Sequence, residues 1–166
     1  MQYVSDLARP ATPFTSTIPQ SLDHESAQPP LNPADRVDRQ FMSMLESYRD
    51  SGGLARVHEV FTIHKSKHGS DFAHLARSIV KRELLSFDWQ SNVWIPLFQF
   101  DRTSMTLQPG LAAVLEALNP DYTPWSLAMW FAKPNAWLHG HTPANTMRID
   151  AAAVLAAARA RHFSSL

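Results

Sequence analysis

The chain has 166 residues, 15 basic and 15 acidic side chains, a formal net charge of zero and no cysteine. Disulfides, thiolate catalysis and cysteine-based zinc sites are thereby excluded, and a neutral chain has no bulk attraction for nucleic acid or membrane. The length suits one domain or two very small ones, and any basic surface must be local.

Residues 1–33 hold half of the 12 prolines, with Ser, Thr and Gln between them. Proline removes a backbone donor and disfavours helix at the residue before it, so a Pro-rich arm without regular packing is expected. The first residues, Met1 to Phe14, lack the basic start and apolar core of a secretory signal. No apolar run approaches the ~20 residues of a membrane helix. A cytoplasmic protein without a membrane partner is expected.

Periodic structure starts after Asn32-Pro33. Val37, Phe41, Met44, Leu45 and Tyr48 fall on one helical stripe, and Ser51-Gly52-Gly53 stops it. A second helix is predicted with Leu54, Val57 and Phe61 inward. The stretch His64 to Gly69 reads as a basic loop that turns the chain. A third helix opens at Ser70 or Asp71 and places Phe72, Leu75, Ala76 and Ile79 on its inner side. The period then changes to two: Leu85–Trp89 and Val93–Phe100, joined by a short polar link, predict a β-hairpin. Pro96 cannot donate to a ladder, so its strand should be an edge or break there. Beyond it, a helix from Pro109 or Gly110 runs to Leu118. Thr123-Pro124 and Thr142-Pro143 are cap-plus-proline starts for two more helices. Asp150 caps an alanine-rich last helix reaching about His162.

The fold class is therefore mainly α with one small β-hairpin. Residues 34–101 form a helical module plus hairpin, in the order of a winged helix-turn-helix, and residues 107–166 form a second helical module. Between Leu54 and Arg82 six positive residues (Arg56, Lys65, Lys67, Arg77, Lys81 and Arg82) stand against Glu59 and Asp71, a net +4. His74, Arg77, Ser78 and Lys81 are expected on the outer side of the third helix, with Lys65, Lys67 and Arg82 beside them. That is a candidate DNA-contacting patch. The plainer alternative is a solvated helix face, and the turn before the third helix is longer than the three or four residues of a compact helix-turn-helix.

No nucleophile elbow, Walker loop or zinc-protease pattern is present. His58-Glu59 is followed at the fourth position by Thr62, and His64/His68 and His139/His141 lack an evident third ligand. No catalytic residue, metal site or cofactor is expected. Aromatic residues are dense instead. Trp130 and Phe131 suit a core, whereas Trp137, between Pro134 and Pro143, suits a contact.

The segment Ala128–Pro143 resembles the central motif of the toxin-binding domain of the Xre/MbcA/ParS antitoxin family, W-x-x-x-P-N-x-x-L-x-G-x-x-P. Trp130, Pro134, Asn135, Leu138, Gly140 and Pro143 stand at the matching positions. Trp94–Asp101 also resembles the hairpin end that precedes this domain in one branch. The resemblance implies a partner, a RES-type toxin that consumes NAD, covered by residues 107–166. Trp137 and, beyond the motif, Arg159, Arg161 and Phe163 are implied as further contacts. It also implies autoregulation through operator DNA and allows a homodimer. The alternative is a stand-alone DNA-binding regulator or partition-type protein without a toxin partner.

Overall fold

The computed structural model describes residues 32–68 and 72–160, with the side chains of His68 and Phe72 excepted. The arm up to Leu31, the expected helix start at Ser70 or Asp71, and Arg161, His162 and Phe163 lie outside the described residues. The secondary structure is mostly helical with one small antiparallel sheet. No helix among the described residues is long and apolar enough to cross a membrane.

Asn32 caps α1 (Pro33–Tyr48), its side chain accepting the Ala34 N–H, and Pro33 occupies the first helical position, where no donor is needed. The inner stripe buries Phe41, Met44 and Tyr48. The chain reverses at Gly52 and Gly53, both at positive φ. At Gly52 a side chain would also meet Leu97 Cβ at 3.2 Å.

The second helix does not begin at Leu54. Leu54–Arg56 is a strand, β1, and α2 runs Val57–His68. Three residues cannot display a period, and what makes them a strand is a partner far along the chain. β2 (Phe87–Trp89) and β3 (Asn92–Pro96) form the expected hairpin, and β1 pairs with β3, giving the order β1-β3-β2. Leu54 lies opposite Pro96 and Arg56 opposite Trp94. The strand with Pro96 is thus central, and it breaks at the proline, the second of the two expected outcomes. It tolerates proline because Pro96 is its last residue, and Leu97 supplies the next donor, to Gly53 O at 2.9 Å. Gln90 and Ser91, both left-handed, make the two-residue turn that matches strand twist.

The basic loop expected at 64–69 is helix up to His68, and α3 spans Phe72–Val80. Positions 69–71 between them lie outside the described residues.

After a 3-10 turn at Leu97–Gln99 come α4 (Leu111–Leu118), α5 (Pro124–Ala132), a second 3-10 turn (Ala136–Leu138), α6 (Pro143–Thr146) and α7 (Ala151–Ala160). Thr123, Thr142 and Asp150 cap as anticipated, accepting the N–H of Ser126, Asn145 and Ala153. α7 packs on α4, and its alanines permit the close approach. Ala157 and Ala158 are buried, and at Gly110 a Cβ would sit 3.0 Å from that of Ala151.

Residues on both sides of position 101 share the larger core, which joins Phe41, Tyr48, Phe87 and Phe98 to Leu115, Leu127 and Phe131. Aromatic rings link α1 to α5 through the hairpin and the 3-10 turn. Phe41 stacks on Trp89 with centroids 3.6 Å apart, Tyr48 stacks on Phe98 at 5.9 Å, and Phe98 meets Phe131 at 4.8 Å. A smaller cluster of Ala55, Val60, Leu75, Leu84, Ile95, Phe100 and Met105 ties α2 and α3 to the sheet.

Two buried polar side chains brace this frame. The Tyr48 hydroxyl donates to Ala128 O at 2.6 Å, and burial pushes its pKa well up, so it stays protonated. Gln99, fully buried, accepts the Leu85 N–H at 2.7 Å and donates to Leu85 O and Pro96 O, each at 2.9 Å.

Candidate functional site

The loop after α5 is built around Asn135. Its side chain accepts the Trp137 N–H at 2.9 Å, while its carbonyl accepts Leu138 N–H and Gly140 N–H, each at 3.0 Å. Its own N–H donates to His141 O at 3.0 Å, closing the base of the loop. Loop carbonyls and amides thus find partners inside the loop, the condition for an exposed segment to hold one shape. His139 and Gly140 adopt left-handed backbone at φ 54° and 83°. A Cβ at Gly140 would touch nothing within 4 Å, so glycine is there for backbone angle rather than space.

This frame sorts the motif residues into two groups. Leu138 and Pro143 are buried, and Trp130 is half-buried with its edge on Phe131, so these three anchor the loop to the body. Pro134 and Gly140 are exposed, and Trp137 keeps 65 % of its surface in solvent. An indole left so exposed on a self-bonded loop contributes little to the core. α7 lies against the 3-10 turn that carries Trp137, and Arg159 is exposed on that helix. Beside Trp130, a groove between α1 and α5 is lined by Gln40, Tyr122, Trp125, Met129 and Lys133. The Trp125 indole donates to Gln40 across it.

The basic patch is less concentrated than its sequence suggests. Lys65, His74, Arg77, Lys81 and Arg82 are exposed. Lys67 is exposed too, but its ammonium donates to Thr103 O at 2.8 Å. Lys81 stands 4.0 Å from Glu83. Arg82 reaches back to Tyr122 O at 2.8 Å. Ser78 is not on the outer side of α3. It is 2 % exposed, with its hydroxyl 3.4 Å from the Glu83 carboxylate, because it lies three residues after Leu75 and one before Ile79 on the inner stripe. Between the cations, the outer side carries Ala73, Val80, which is 83 % exposed, and also Ala76, expected on the inner side but exposed.

Near this region Asp101 organises the 101–106 loop. Its carboxylate accepts the N–H groups of Thr103 and Ser104 and the Ser104 hydroxyl, and these bonds hold its pKa below the ordinary carboxylate value. Among the described residues no group of three or more His, Asp or Glu side chains is placed to hold a metal ion.

Sequence reasoning missed the bracing bonds of Gln99 and Tyr48 and an interlock in which Asn119 and Tyr122 grip Arg82. All three work over long sequence separations. The one available signal was a glutamine inside an otherwise apolar run, Leu97 to Phe100.

A comparison with family models, with curated proteins and with solved structures returns no match.

Proposed function

We propose that the chain is an antitoxin-like binding protein of the cytoplasm that neutralises a RES-type, NAD-consuming toxin and has no catalytic residues or cofactor of its own. The observation that carries this reading is Trp137, 65 % exposed on a loop whose shape is fixed by Asn135. A pre-shaped loop loses little entropy on docking, and a tryptophan so presented is the usual kind of interface anchor. Trp130, Leu138 and Pro143 hold the loop from within, while Pro134, Gly140 and Arg159 are exposed. Within the 107–166 region the partner would cover the Trp137 loop.

Autoregulation through operator DNA is the second part of the reading, and as a stand-alone activity it is the competing one. A specific observation favours it. The element order α1-β1-α2-α3-β2-β3 with sheet order β1-β3-β2 is compatible with a winged helix-turn-helix, which supports the DNA reading. Lys65, Arg77 and Lys81 would make phosphate contacts, with His74 beside them. A second copy of the chain would double so small a contact.

The experiment is a pull-down of the tagged full chain from its host, with partners identified by mass spectrometry. Recovery of a RES-type protein, lost on Trp137→Ala, supports the antitoxin reading. Recovery of nucleic acid at low salt and no protein partner rejects it in favour of the regulator.

A further inference from the structure

α3 ends in a paired-bond helix stop. Glu83 N–H returns to Ser78 O at 2.9 Å and Arg82 N–H to Ile79 O at 3.0 Å. The position between them must be left-handed and is usually glycine. Here it is Arg82, at φ 57°, a conformation that a Cβ disfavours.

The compensation comes from the turn between α4 and α5. Asn119 Nδ2 donates to Arg82 O at 3.0 Å, and Arg82 Nη2 donates to Tyr122 O at 2.8 Å. One residue is thus gripped at its backbone and at its side-chain tip by a turn 37 to 40 positions away. Next to the grip lies a cavity of about 90 Å³, lined by Ile79, Leu84, Leu115 and Leu127, with Arg82 and Asn119 at its polar edge. Leu84, within the α3 stop, thus borders a partly open space. A strained residue, an outside clamp and an adjoining void are the parts of a two-position element.

We propose that Arg82 is a conformational latch. Residues 119–122 hold it left-handed and so fix the end of α3; when they let go, the 81–84 segment leaves the helix stop and the end of α3 loses its tie to the α4–α5 turn. The α4–α5 turn leads directly into Thr123, the cap of α5, whose far end carries the Trp137 loop. The latch thus joins the α3 end mechanically to the C-terminal helices, whatever partner either of them meets. This inference does not rest on the antitoxin reading.

The test is amide hydrogen exchange on the full chain, with Glu83 and Leu84 as reporters, since both N–H groups bond to Ser78 O. Ile95 and Leu115 serve as references for global opening. Asn119→Ala is expected to speed the two reporters by about tenfold or more while the references stay within about twofold. Adding Arg82→Gly to that variant should return the reporters to near the wild-type rate, because glycine keeps the left-handed turn without a clamp. Three results would overturn the latch. They are unchanged reporters in Asn119→Ala, an equal rise at reporters and references, and a double variant that exchanges as fast as Asn119→Ala.

Discussion

Gln99→Leu removes the side chain that staples the start of the hairpin to the end of β3. Gln99 is fully buried, and its amide makes three bonds of 2.7, 2.9 and 2.9 Å to Leu85 N, Leu85 O and Pro96 O. Leucine fits the volume but leaves those backbone groups facing an apolar side chain. Each stranded backbone group costs about 1.3–2 kcal/mol, inside the general range of about 1–3 kcal/mol, so the three bonds together are worth about 4–6 kcal/mol. Added apolar burial offsets about 1 kcal/mol. We expect a loss of about 3–5 kcal/mol, a large share of the roughly 5–15 kcal/mol that holds a domain together. Urea unfolding followed by tryptophan fluorescence reads this directly. With a slope near 2 kcal/mol/M, the midpoint should fall by about 2 M. A fall of less than about 0.5 M would refute the reasoning, because the Leu85 and Pro96 backbone groups would then have partners other than Gln99.

Tyr48→Phe deletes one bond, to Ala128 O, from a site already fully buried. The expected cost is about 1–2 kcal/mol, seen as a drop of roughly 3–6 °C in Tm; no change would mean the 2.6 Å contact carries no stability. Asp101→Asn tests the 101–106 loop. The folded pKa of Asp101 is lowered from 3.8, so its stabilisation is present above that value and is lost as pH falls through the folded pKa. Tm profiles of wild type and variant should therefore differ above about pH 4 and converge below it; a gap that persists in acid would place the effect elsewhere. Trp137→Ala should shift Tm by under about 2 °C, the mark of an exposed side chain, so any lost interaction is not lost folding.

Much of the helical frame was legible because its ends are marked. Asn32-Pro33, Thr123-Pro124, Thr142-Pro143 and Asp150 each combine a side-chain acceptor with the first exposed N–H groups, a local signal that needs no tertiary context. The hairpin was legible from its alternation. β1 was not, since Leu54-Ala55-Arg56 becomes a strand only by pairing with β3, some 40 positions on. The basic run at the end of α2 was misread as a loop because its charge resembles a turn. Lysine is a good helix former, however, and Thr62 and Ser66 bond back to His58 O and Ile63 O within the helix. Ser78 was placed outward because it is polar, although its spacing from Leu75 and Ile79 puts it inward. At the candidate site, the exposure of Trp137 followed from its setting between two prolines. The bonds that give Asn135 its role depend on chain reversal at His139 and Gly140, where only the glycine advertised a left-handed turn.

The central claim is that the Trp137 loop covers a RES-type enzyme. The direct measurement is the NAD consumption of such an enzyme, recovered from the host, as this protein is added. The account predicts inhibition complete near one equivalent. Trp137→Ala, though folded, should need about thirtyfold more protein, the equivalent of about 2 kcal/mol at one anchor. NAD consumption that is unaffected by the wild-type protein, or inhibited equally well by Trp137→Ala, would contradict it.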